Sequence, residues 1–241
     1  MVRIVFTGTL GCLSSQSSAA VPLRPGIGTT DMRQGVDVNS LPWSAIGRVQ
    51  TELGARCTGF LIAPNIVETA AHCLFLPKTG HYIRPQDVHF LRAYSRGQFA
   101  AHAKARQIVL SAQYDERQEN ATSGLDRATL ILDTPVATAS QILPVMTNLP
   151  SPGTSIVLGG YEQDFSEIIR SDMACHVLGI GRDGQGRFMI RHDCSATRGS
   201  SGAPILGQQD GRWVVWGVQT LANYGQGGAA TPLSQPIKDA P

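Results

Sequence analysis

Nowhere in the 241 residues is there an unbroken apolar run approaching the roughly 20 residues that a membrane-spanning helix requires. Blocks of basic residues are missing too. The formal charge is only +2, which gives no electrostatic ground for binding nucleic acid or an anionic membrane. Metal-binding spacings are likewise absent. His72, His176 and His192 lie near cysteines, yet no CxxC or HExxH accompanies them, so neither zinc nor any other cofactor is expected. No long pattern of period 3.6 precedes residue 130, and no internal repeat is visible, which argues against a helical bundle or a solenoid.

What the chain does have is 42% hydrophobic residues and 26 glycines, the composition of a globular, β-rich protein with many turns rather than a disordered one. Its length suits one two-lobed domain or two small ones. Residues 1–20 predict a signal peptide: Arg3, a short semi-apolar stretch, then Ser18-Ala19-Ala20 as a small-residue cleavage site. A shifted start codon and a lipoprotein anchor at Cys12 are the alternatives. With Cys12 set aside, Cys57, Cys73, Cys175 and Cys194 remain, and four cysteines allow three pairings. Disulfides imply an oxidising compartment, so a secreted or periplasmic protein is expected.

Residues 21–40 carry Pro22, Pro25 and three glycines and read as an arm or propeptide. A first lobe over 41–135 opens with Pro42-Trp43, Trp43 serving as a core anchor. Strand-like runs follow at Cys57–Ala63, Ile66–Ala71, Val88–Tyr94, Ala105–Leu110 and Ala128–Asp133. Glu68 interrupts the second of these runs, and a buried carboxylate there needs a partner. The Pro-, Thr- and Ser-rich stretch 135–152 links to a second lobe within 136–241. Its strands are expected at Thr154–Tyr161, Met173–Leu178, Phe188–Arg191, Gly202–Leu206 and Trp213–Gln219. A short closing helix is expected after Thr231, interrupted by Pro232 and Pro236.

Three stretches carry chemistry. Cys194 to Pro204 places Ser201 among small residues and glycines, where a hydroxyl can project while neighbouring N–H groups converge on one spot. Thr69-Ala70-Ala71-His72-Cys73 supplies a histidine, whose ordinary pKa lets it accept and return a proton near neutrality. Ser123 to Leu130 supplies Asp126. TAAHC followed by a downstream GxSGxP resembles the trypsin/chymotrypsin family of serine proteases, and most its bacterial, glutamyl-endopeptidase-like branch. The chain order His72, Asp126, Ser201 is that of chymotrypsin.

The resemblance implies an all-β fold of two packed antiparallel barrels with the active site in the cleft between them. It implies Ser201 as nucleophile, His72 as base then acid, and Asp126 orienting the imidazole, with Gly199 and Ser201 N–H groups as the oxyanion hole. It selects a Cys57–Cys73 bridge, leaving Cys175 with Cys194. It places Ser195 at the base of the S1 pocket and Gln219 where the glutamyl branch has a histidine. Thr220, Leu221 and Ala222 would pair with substrate backbone. A secreted, monomeric serine endopeptidase acting on protein or peptide substrates is therefore expected, with an uncharged or small P1 residue. An inactive relative that binds proteins and an esterase using the same triad are the other readings. Ser200 stands where the family often has an Asp that pairs with a newly freed N-terminal ammonium. A serine cannot form that pair, so Ser200→Ala is expected to retain most activity in a peptide-hydrolysis assay. Complete loss would contradict this.

Overall fold

The computed structural model describes Met1 and residues 24–234. The expected signal peptide with Cys12, its cleavage site, and the tail beyond residue 234 lie outside the described residues.

The first barrel is built from β2 (Ile46–Thr51), β3 (Arg56–Ala63), β4 (Ile66–Thr69), β7 (Val88–Arg92), β8 (Ala101–Leu110) and β9 (Ala128–Leu132). They close in the order β2-β3-β4-β9-β8-β7, all antiparallel. β7 and β9 alternate buried and half-buried residues, as strands with one face on a core must. Phe60, Phe90, Ile46, Leu61 and Leu130 fill the interior. A two-stranded ribbon, β5 (Phe75–Leu76) with β6 (His81–Tyr82), projects from the chain between β4 and β7.

The second barrel uses β10 (Ser155–Gly160), β11 (Arg170–Arg182), β12 (Phe188–His192), β13 (Pro204–Gln209), β14 (Arg212–Ala222) and β15 (Gly228–Pro232). The order is β11-β10-β13-β14-β15-β12, and β12 returns to β11, so no edge of the ring is left open. Ile156, Leu158, Ile190, Ile205 and Val214 form its core. The first core continues into Val157, Leu206, Val215 and Val218 of the second barrel, so the two rings share an apolar joint.

Most expected strands are present, with shifted ends. Trp43 is a buried core residue, but it sits in a 3-10 turn, Trp43–Ala45, ahead of β2. β11 is much longer than Met173–Leu178. β15 occupies part of the stretch near Thr231, where a helix was expected. The arm adds β1 (Arg33–Gly35) to the outside of β11.

Both disulfides are formed: Cys57–Cys73 and Cys175–Cys194. Glu68 is buried between Phe60 and Thr129 in register. Its Oε1 accepts from Thr129 Oγ1 at 2.6 Å. Burial raises its pKa, with the nearby Arg127 charge working against that rise.

Replacing Cys175 and Cys194 together by Ala is expected to lower stability by about 3 kcal/mol, since the bridge closes a loop of 19 positions. Urea unfolding of the oxidised protein and the double variant measures this; a loss below about 1 kcal/mol would contradict it.

Candidate active site

His72 opens a 3-10 turn, His72–Leu74, directly after β4, and the Cys57–Cys73 bridge fastens that turn to β3. β4 lies beside β9, with Thr69 opposite Ala128, which brings the residues just before β9 next to His72. Asp126 is one of them and is fully buried. Its Oδ1 accepts the His72 backbone N–H at 3.0 Å, and its Oδ2 lies 2.7 Å from the imidazole Nδ1. A carboxylate only accepts, so Nδ1 carries the hydrogen and the Nε2 lone pair is available. The second barrel steadies the same loop. Thr231 Oγ1 lies 2.7 Å from the Ser123 carbonyl, to which it donates, and 3.4 Å from that of Asp126.

Burial disfavours a charged imidazole, but the Asp126 charge and hydrogen bond, with Glu116 and Glu119 beyond, outweigh it. The His72 pKa is pushed up to about 9.

His72 and Ser201 line one cleft of about 940 Å³ between the barrels. Among the described residues, no hydrogen bond joins the imidazole to the Ser201 hydroxyl. The loop before Ser201 is fixed from several sides. Thr58 Oγ1 donates to the Gly199 carbonyl at 2.9 Å, and Gln163 N–H donates to the Arg198 carbonyl at 2.7 Å. A trans peptide points its N–H opposite its C=O. Turning the Arg198 carbonyl toward Gln163 therefore turns the Gly199 N–H away from it. Among the described residues, neither the Gly199 nor the Ser201 N–H donates to a protein acceptor. Gly199 has φ +92°, and a Cβ there would lie 2.4 Å from the Tyr161 carbonyl, so only glycine fits.

Gln219, Thr220, Leu221 and Ala222, at the end of β14, also line the cleft. β13 pairs with β14 only as far as Val218, while β15 covers the other side through Ala222. Among the described residues, the Thr220–Ala222 edge facing the cleft thus has no strand beside it. Ser195 does not line the cleft. It is fully buried, with its N–H on Asp172 Oδ2 at 2.9 Å. The wall is formed instead by Gln219, whose Oε1 is 2.7 Å from His192 Nε2. His192 Nδ1 accepts the Cys194 N–H at 3.2 Å, so Nε2 carries the hydrogen donated to Gln219. Burial lowers the His192 pKa to about 4, leaving it neutral.

Cys57, His72 and Cys73 come within metal-ligating distance of one another, as do Cys175, Asp193 and Cys194. In both groups the sulfurs are committed to disulfides, which are poor ligands compared with thiolates.

A profile of the trypsin family matches residues 32–237. The chain belongs to the trypsin family. The glutamyl endopeptidase of Bacillus licheniformis is 21% identical over 214 residues, 88% of this chain. The chain spans 64% of the length of that relative. A solved structure of a Glu endopeptidase in complex with MPD shares the fold, with a TM-score of 0.72 at 20% identity over 86% of this chain and 93% of the other. This trypsin-family member thus shares its fold with a Glu endopeptidase and resembles the Bacillus licheniformis enzyme at low identity.

Sequence reasoning missed several residues that shape this trypsin-family site: Thr58, Glu162, His192 and Arg33. Each acts through a partner far away in the chain, and no local motif marks them.

Glu116→Gln or Glu119→Gln removes a negative charge that favours the imidazolium. The His72 titration followed by NMR is expected to move to lower pH, by roughly half a unit. An unmoved or raised midpoint in both variants would contradict the assignment.

Proposed function

We propose that this chain is a serine endopeptidase that hydrolyses peptide bonds through an acyl-enzyme. Ser201 attacks the scissile carbonyl while His72 Nε2 takes its proton, and His72 later returns that proton to the leaving amine. Asp126 holds the imidazole in the Nδ1–H tautomer and stabilises its charged form. The Gly199 and Ser201 N–H groups receive the oxyanion. The observation that carries this reading is the arrangement around one cleft: a buried Asp126 paired with a partly exposed His72, Ser201, and two backbone donors with no acceptor among the described residues. Substrate backbone adds as a strand along Thr220–Ala222, the usual way an extended peptide meets a free sheet edge. An imidazole titrating near 9 makes activity rise into the alkaline range.

Two disulfides favour work in an oxidising compartment, as a secreted monomer acting on proteins or peptides. The name of the Bacillus licheniformis relative points to glutamyl bonds for that enzyme. Here the wall is Gln219, backed by the buried and neutral His192, and neither offers a positive charge to offset a glutamate carboxylate. Gln219 likewise supplies no negative charge for lysine or arginine. An uncharged or small P1 residue fits best.

Ser201→Ala is expected to abolish fluorophosphonate labelling and reduce peptide hydrolysis by at least about 10³-fold. Labelling that persists at another residue, with activity intact, would overturn the mechanism. A peptide-library profile dominated by Lys, Arg or Glu at P1 would overturn the specificity while leaving the mechanism standing.

A further inference from the structure

We infer that Arg33, in the N-terminal arm, is a positioning residue for the oxyanion loop, acting through Glu162 on the Thr197 amide. The inference rests on the peptidase reading above.

Arg33 sits in β1, paired with Asp172 of β11, and its side chain is wholly buried. All five guanidinium donors are engaged. Nε meets Asp31 Oδ1 at 2.9 Å, and Nη2 meets Asp31 Oδ2 at 2.7 Å and Asp164 Oδ2 at 2.8 Å. Nη1 meets Asp164 Oδ1 at 3.1 Å and also Glu162 Oε2. That same Glu162 oxygen accepts the Thr197 N–H at 2.9 Å. Thr197 begins the turn that ends at Ser201, and Ser200 closes it by donating its hydroxyl to the Thr197 carbonyl at 2.7 Å.

Glu162 has no exposed surface, and burial works against its ionised form. A carboxylate there needs a counter-charge, and Arg33 is the guanidinium in contact with it. Five donations to three carboxylates need the five-donor guanidinium, and lysine, with three donors on one nitrogen, cannot make them all. Residue 163, next to Glu162, holds the Arg198 carbonyl that sets the direction of the Gly199 N–H. The arm is tied to this loop at a second point, where the Ala196 N–H donates to the Gly26 carbonyl at 3.3 Å. The electrostatic task that an acid at position 200 would perform is thus carried out from outside the loop, by a residue of a neighbouring strand end and a cation from the arm.

The test uses the mature protein with Arg33→Ala, Arg33→Lys and Glu162→Gln variants, each checked for folding by near-UV circular dichroism. Arg33→Ala and Arg33→Lys are expected to lower kcat by about 10- to 100-fold, a fraction of what losing an oxyanion donor costs, with KM changed less than about threefold. Guanidinium chloride at tens of millimolar should restore part of the Arg33→Ala activity, while sodium chloride at the same ionic strength should not. Hydrogen exchange at the Thr197 amide should accelerate in all three variants. A folded Arg33→Ala protein with unchanged kcat and unchanged Thr197 protection would overturn the inference. So would a loss confined to KM, or an active mature form that lacks Arg33. If the wild-type protein neither labels with fluorophosphonate nor cleaves peptides, the peptidase reading fails, and this inference with it. If it labels and Arg33→Ala labels equally fast, only the inference fails.

Discussion

One buried threonine holds the two halves of the site in register. Thr58, on β3 of the first barrel, donates its N–H to the Ser201 carbonyl at 2.9 Å and its hydroxyl to the Gly199 carbonyl at 2.9 Å. The same hydroxyl accepts the Tyr161 N–H at 2.9 Å, and the Thr58 carbonyl accepts from Thr69 Oγ1 at 2.7 Å. Every polar atom of a residue with no exposed surface is thereby used. Three of these bonds cross to the second barrel, and the fourth reaches the strand that leads into His72. Where Ser201 lies relative to the imidazole is therefore set by β3. The shared apolar core presses the barrels together, but hydrophobic contact is non-directional and could not fix that distance by itself. Directional bonds between fully buried partners can, because leaving any of them unmade costs about 1–3 kcal/mol.

The first barrel supplies both members of the Asp126–His72 pair, so their contact needs only one register, Thr69 against Ala128. That makes the pair robust. The loop that carries Ser201 is the vulnerable partner, because glycine at 199 and 202 with positive φ gives it shape but no intrinsic rigidity. Its order comes from outside, through Thr58, Gln163 and Glu162. A loop of this kind is ordered only as firmly as the elements that grip it.

Sequence motifs exposed the parts of this molecule that are local. His72, Asp126 and Ser201 sit in short distinctive contexts, and the strand runs of the first barrel stand out because β7 and β9 alternate cleanly. β1 and β15 were illegible for a physical reason: Arg33–Gly35 and Gly228–Pro232 lack alternation, and they are strands only because a neighbour offers an edge. β11 extends beyond its apolar centre because Arg170, Ser171 and Asp172 at its start are polar though largely buried, and Gly179 and Gly181 near its end carry no side chain to mark a strand. Glu68 looked anomalous because its partner Thr129 is 61 positions away and meets it only through the β4–β9 register. Ser195 was expected at the pocket base by counting back from Ser201. Counting cannot show that Asp172 draws the Ser195 backbone below the surface and leaves Gln219 as the wall.

The distribution of charge around the loop separates two functions that could have interfered. Cations gather behind it: Arg33 on Glu162, Asp164 and Asp31, with Arg24 also on Asp164 and the Arg170 guanidinium 4.5 Å above the Phe165 ring. On the substrate side Gln219 and the buried His192 behind it are neutral, and Arg198 is the cation that lines the cleft. A cation placed in the pocket to recognise substrate would also attract Glu162, which is 35 positions away in sequence but bonded to the Thr197 amide of the turn it supports. Keeping the compensating charge on the arm, with all its donors already committed, leaves the pocket wall free to vary without loosening the loop. On this view the neutral wall is compatible with activity because loop order does not depend on it.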